Sequence, residues 1–168
     1  MWLDLDSLFA DFRRIEPFVT QLVEAIRPYD VETVCGPLLG GAFLAQLVAQ
    51  ALGVEFCFTE LMPNESQALY ATRYRLPRAF MDRVRGKRLA IVDDVMSAGS
   101  ALRGTYAELT EFGAMPVVAG ALLVLGTTGA DFFAQQRIPV EAVARKDYAL
   151  WSPGDCPLCI AGVPLAER

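Results

Sequence analysis

Histidine is absent from all 168 residues. Its absence excludes Ser-His-Asp and Cys-His nucleophilic catalysis, and any metal site built on imidazole. Chemistry in this chain must draw on carboxylates, Lys, Arg, backbone amides or a bound ion. Long apolar runs are missing too. The longest, Ala114 to Gly126, is interrupted by Pro116 and falls short of the roughly 20 residues that span a bilayer. The opening Met-Trp-Leu-Asp-Leu-Asp is acidic, where a secretory signal is basic. A cytoplasmic protein with no membrane partner is expected. Positive charge is not in surplus either. A net charge of −5 lacks the basic footprint of a general nucleic-acid binder, although a local site for a small anion can oppose the overall sign. Neither Gly-x-Gly-x-x-Gly nor Gly-x-x-x-x-Gly-Lys-Ser/Thr occurs, which removes two common nucleotide loops. Four cysteines do not make a secreted disulfide framework. Cys35 and Cys57 lie in apolar runs and read as small core residues.

What the chain has in abundance is apolar side chains, 54% of the total. A chain of this length fits one domain with a sizeable core. The surplus predicts strands buried on both faces, as in a parallel sheet flanked by helices, or an apolar face shared between subunits. Leu5, Leu8, Phe9, Phe12, Ile15, Val19, Leu22, Val23 and Ile26 recur at helical spacing. Residues 1 to 29 therefore read as a helical segment, divided or kinked at Pro17 and closed by Pro28. Strands are predicted at Val31 to Cys35, Val54 to Phe58, Arg88 to Val92, Val117 to Leu125 and Val140 to Ala144. Helices are predicted at Ala42 to Leu52, stopped by Gly53, at Ser100 to Phe112 and at Ala130 to Arg137. This alternation predicts an α/β fold with a doubly wound, mostly parallel sheet. Residues 60 to 87 have weak periodicity and read as a long functional excursion with a strand pair and a short helix. Residues 145 to 168 read as a tail.

The informative stretch is Leu89-Ala90-Ile91-Val92-Asp93-Asp94-Val95-Met96-Ser97-Ala98-Gly99-Ser100-Ala101-Leu102. An apolar strand delivers two adjacent carboxylates, a turn of small residues follows, and a helix begins. Ligands of open α/β sheets sit at the carboxyl ends of strands. A helix start behind small residues offers free amides and a positive dipole end to a phosphate. Ser97 and Ser100 add hydroxyls. Simple capping explains Asp and Ser near a helix start, but two neighbouring carboxylates repel unless a cation or hydroxyl donors compensate. A second turn, Gly36-Pro37-Leu38-Leu39-Gly40-Gly41, follows the first strand and also precedes a helix.

The stretch Ile91 to Ser100 resembles the 5-phosphoribosyl-1-pyrophosphate motif of type I phosphoribosyltransferases. The resemblance spans roughly residues 30 to 165 and implies that Asp93 and Asp94 bind the ribose 2′ and 3′ hydroxyls. It also implies that Ser97, Ala98, Gly99, Ser100 and Ala101 wrap the 5′-phosphate. Leu38, Leu39, Gly40 and Gly41 would form the pyrophosphate loop, with a non-proline cis peptide between Leu38 and Leu39. The excursion holding Arg73, Arg75, Arg78, Arg83 and Arg85 resembles the mobile catalytic loop, with Arg73 and Arg75 as the pyrophosphate-covering residues. The family's chemistry implies Mg²⁺ at Asp93 and Asp94, through water or ribose hydroxyls, and a homodimer. The tail from Trp151 through Cys156-Pro157-Leu158-Cys159 to Leu165 is similar to that of some orotate phosphoribosyltransferases, which implies orotate or a related pyrimidine as the base and pyrophosphate as the other product. Departures are visible: the loop has no histidine and no lysine before Lys87. In addition, Gly126-Thr127-Thr128 stands where orotate enzymes carry an Asp-Arg pair.

The alternative is a regulator of the same fold that senses phosphoribosyl pyrophosphate without catalysis; one acting on nucleic acid should carry a basic face or an added module, and neither is visible. Cys156-x-x-Cys159 reads as a structural turn, a redox pair or half of a zinc site that two chains could complete. Trp151, Phe132 and Phe133 read as packing residues.

Overall fold

The computed structural model describes residues 5–63, 72–149, 151 and 154–163. Two helices, α1 (Asp6–Phe9) and α2 (Phe12–Ile26), lead through a 3₁₀ turn at Arg27–Tyr29 into β1 (Thr33–Pro37). Then follow α3 (Gly40–Leu52), β2 (Glu55–Leu61), β3 (Tyr74–Arg75), α4 (Arg78–Val84), β4 (Arg88–Met96), α5 (Ser100–Glu111), β5 (Met115–Leu125), α6 (Thr128–Gln135), β6 (Val140–Lys146) and α7 (Pro157–Ile160). The sheet order is β3-β2-β1-β4-β5-β6. All pairings are parallel except the short antiparallel pair of β2 with β3. This is the doubly wound α/β fold expected.

Alternate residues of β4 enter cores on opposite faces. Ala90 and Val92 pack on the side of α2 and α3 with Leu22, Ile26, Leu44 and Val48. Leu89 and Ile91 pack on the other side with Leu102, Leu109 and Phe133. Leu89, Ile91 and Val92 are wholly buried, and each such side chain contributes about 1.5–3 kcal/mol. The apolar half of β4 thus fixes its place in the sheet, and the two carboxylates that follow are carried to the rim. Cys35 and Cys57 face one another in register on β1 and β2 and are buried, where burial pushes the Cys35 thiol well up. They are core residues, as expected.

Most element boundaries shift by a few residues from expectation, and three of the differences have a clear physical reason or bear on the acid pair. The N-terminal helix breaks at Ala10–Asp11, and Pro17 lies inside α2. Asp11 caps the new start by accepting the Arg13 amide at 3.1 Å, while Pro17 sits on the exposed face, where the carbonyl it leaves unpaired meets water. Helix α3 begins at Gly40, not Ala42, so Gly40 and Gly41 are its first turn. Strand β4 continues past Val92 to Met96, with Asp93 opposite Ala121 and Val95 opposite Leu123. The excursion does contain a strand pair and a short helix; its residues 64–71 lie outside the described residues.

Candidate active site

Asp93 is only 8% exposed although it stands near the sheet's rim. Its Oδ1 accepts the Asp94 amide at 3.0 Å, and Asp94 Oδ1 accepts the Val95 amide at 2.8 Å. Burial holds the Asp93 carboxyl well above the usual carboxylate range, and the neighbouring Asp94 charge adds to this. A buried carboxylate of this kind gains most from hydroxyl donors or a cation brought by a ligand.

Beyond Met96 the chain turns through Ser97-Ala98-Gly99 into α5. Gly99 occupies the cap position at φ +75, a conformation that glycine adopts without a Cβ penalty, and no side chain caps the helix. The first-turn amides are therefore available to an anion. A cavity of ≈ 320 Å³ opens there, lined by Asp93, Val95, Ser97, Ala98, Gly99, Ser100 and Ala101. The turn is braced from α6: Gly129 N donates to Ser97 O at 3.0 Å, and Arg103 Nη2 donates to Thr128 O at 2.7 Å. The same guanidinium lies 4.7 Å from the centre of the Phe132 ring. Arg103 thus brings a positive charge to the Gly126-Thr127-Thr128 turn, a placement its position on α5 did not announce.

The second turn meets the first at the carboxylates. The Leu38–Leu39 peptide bond is cis, as the resemblance implied. A Cβ on Gly40 would stand 2.5 Å from Asp94 Oδ2, and one on Gly41 would stand 2.7 Å from Asp93 Oδ1. Only glycine lets α3 start this close to the acid pair. Two helix starts, at Gly40 and Ser100, therefore converge on Asp93 and Asp94.

The loop arginines are placed less uniformly. Arg75 forms an ion pair with Glu60 at 2.9 Å, and Arg73 lines a cleft with Met62, Pro63, Tyr74 and Glu108. Arg83 pairs with Glu55 at 2.7 Å, away from the carboxylates. Two residues escaped the sequence reading. Thr72 Oγ1 donates to Ser100 O at 2.9 Å, and Tyr74 packs its ring on Gly104 of α5. Burial raises the Tyr74 phenol above its ordinary value, and the Asp93 charge contributes. Together they pin the returning arm of the excursion over the start of α5. Their only sequence signal was a hydroxyl and an aromatic ring set among arginines. Phe132 and Phe133 do pack, edge to face at 5.2 Å and against Tyr106. Trp151 does not: it is 55% exposed.

Comparison with known proteins shows the family and the fold. No family model matches the chain. The orotate phosphoribosyltransferase of Thermotoga petrophila is 34% identical over 148 residues, covering 88% of this chain and 72% of that relative. The chain belongs to the orotate phosphoribosyltransferase family of type I phosphoribosyltransferases. Its fold is shared with the orotate phosphoribosyltransferase of Aeropyrum pernix (TM-score 0.68, 19% identity, 86% of this chain and 78% of that one). It is also shared with the Mycobacterium tuberculosis orotate phosphoribosyltransferase solved with 5-phospho-α-D-ribosyl 1-diphosphate (TM-score 0.64, 19% identity, 86% and 80%).

Proposed function

We propose that this chain transfers the 5-phosphoribosyl group from phosphoribosyl pyrophosphate to orotate, releasing pyrophosphate. The observation that carries the proposal is the convergence of two helix starts on Asp93 and Asp94, because the donor presents two phosphate groups on either side of a diol. Asp93 and Asp94 accept the ribose 2′ and 3′ hydroxyls. The amides of Ser97 to Ala101 take the 5′-phosphate, and those of Leu38 to Gly41 take the pyrophosphate. Positive charge that develops on the ribose as the leaving group departs is stabilised by the carboxylates in a water-poor site. Arg73 and Arg75 then cover the pyrophosphate and exclude water. For Arg75 this means leaving Glu60, an exposed pair of a kind typically worth no more than about 1 kcal/mol.

Mg²⁺ fits this donor set. Two adjacent carboxylates, one buried beside the other's charge, supply oxygen ligands to an ion that prefers few carboxylates plus waters and substrate phosphates. When bound, the ion neutralises charge on the departing pyrophosphate. A homodimer is also proposed. Leu39, Phe43 and Phe12 are 64%, 48% and 56% exposed beside the pyrophosphate turn, and a second subunit covering them would close the site at its open edge.

The test is turnover: orotate, phosphoribosyl pyrophosphate and Mg²⁺ are mixed with the protein, and pyrophosphate release is followed. Release that requires orotate supports the assignment. Binding of phosphoribosyl pyrophosphate without release, with orotate and with other bases, would replace it by the sensing role.

A further inference from the structure

Cys156 and Cys159 take no part in the site above or in either core. Cys156 precedes the single turn α7 with an extended backbone (φ −68, ψ 116). The nearby Cys159 amide and thiol draw the Cys156 thiol below the ordinary cysteine range. The Cys159 thiol, beside Cys156, is held above it. Backbone bonds close the turn on their own: Ile160 N to Cys156 O at 3.0 Å, Ala161 N to Pro157 O at 3.0 Å and Val163 N to Leu158 O at 3.0 Å. Two cysteines that one closed turn holds three residues apart can be joined with small side-chain movement. Cys159 is exposed and Cys156 half-buried, whereas Cys35 and Cys57 are buried. The chain therefore carries one pair of cysteines closed off in the core and one accessible pair on a single surface turn.

We propose that Cys156 and Cys159 form a reversible dithiol–disulfide site that exchanges with small disulfides of the glutathione class. The Cys156 thiolate attacks one sulfur of the oxidant. The oxidant's sulfur–sulfur bond breaks, one thiolate leaves, and the other half stays on Cys156 as a mixed disulfide. Cys159 loses its proton to solvent and attacks the Cys156 sulfur, forming the Cys156–Cys159 bond and expelling the second thiolate. Two electrons and two thiol hydrogens pass from the protein to the oxidant, which ends as two thiols.

The reduced full-length protein is incubated with oxidised glutathione, free thiols are alkylated, and intact and peptide masses are read. The expected result is loss of two hydrogens per chain, located in a Cys156–Cys159 crosslink, with Cys35 and Cys57 alkylated only after unfolding. Cys159→Ser should stop at a stable glutathione adduct on Cys156. Cys156→Ser should acquire its adduct more slowly. A wild-type chain that keeps all its thiols, an adduct that persists on the wild type, or a disulfide between two chains would overturn the proposal. So would added Zn²⁺ held by four thiolates of two chains and protecting them from oxidised glutathione.

Discussion

Gly41 lies against Asp93 so closely that an added methyl group would stand 2.7 Å from the carboxylate Oδ1 and 2.6 Å from Pro37 Cδ. Neither neighbour is the free end of a flexible side chain. Gly41→Ala must move the start of α3, the acid pair, or both. A destabilisation of about 1–3 kcal/mol, the usual cost of overpacking, is expected in denaturant unfolding, together with a loss of turnover. An alanine variant with wild-type turnover would show that the close approach serves packing alone.

Replacing both acids, Asp93→Asn with Asp94→Asn, should lower pyrophosphate release by about 10²-fold or more. Far-ultraviolet circular dichroism should not change, since the strand is held by its apolar half. Unchanged turnover in the double variant removes the assignment of the acid pair.

Asp93 alone gives a prediction in pH. Burial raises its folded-state pKa, and a carboxyl raised on folding favours the folded protein only while protonated. That contribution is complete below the ordinary unfolded carboxylate value, is lost as pH rises toward the folded value, and stays lost above it. Asp93→Asn should therefore unfold at a higher temperature than the ligand-free wild type at neutral pH, with the gap closing in acid. A gap that widens in acid contradicts the burial effect.

Arg103 joins α5 to the start of α6 through Thr128 and Phe132. Arg103→Ala should raise the KM for phosphoribosyl pyrophosphate about fivefold, since a charge-assisted hydrogen bond at a partly exposed place is worth about 1 kcal/mol. The turnover number should change less. Lysine should not restore the wild-type value, because it lacks the planar fork that both stacks and donates. Equal losses in both constants for Arg103→Ala would assign Arg103 to the fold at large.

The base site lacks the Asp-Arg pair, so orotate's carboxylate must find another cation. Breaking a buried charge pair costs about 3–5 kcal/mol. Calorimetry with orotate, with and without phosphoribosyl pyrophosphate, should show binding that weakens when one of Arg73, Arg75, Arg145 or Lys146 is neutralised. Arg145 already donates to Val140 O at 2.6 Å and Arg75 pairs with Glu60 at 2.9 Å, so each would have to leave a partner. Tight orotate binding in all four variants would mean that the carboxylate is held by another group.

Much of this was legible in the sequence because apolar periodicity reports burial, and burial decides the sheet. Leu89 to Val92 announced a strand, and Asp93-Asp94 marked the end of it that the glycine turn before α3 approaches. The same acids hid the strand's true end, since Asp is depleted in strands, while pairing with the long β5 carried the extended backbone through to Met96. Pro17 drew the helix break to itself, although the cap at Asp11 decided it. Contacts distant in sequence were not legible. Nothing local to Thr72 or Tyr74 says that they rest on α5, and nothing local to Gly40 and Gly41 says that two carboxylates lie beneath them.

The sheet ends at β6, whose outer backbone has no strand beside it among the described residues. An open edge of seven residues is a template on which another molecule's strand can add. Here it carries Glu141, Arg145 and Lys146 within that short span, so a strand laid alongside would strip water from charges unless it brought matching ones in register. The border of the sheet thereby guards itself against accretion. A chain with so much apolar side chain can then be concentrated and still leave its other apolar margin, beside the pyrophosphate turn, as the place where molecules meet.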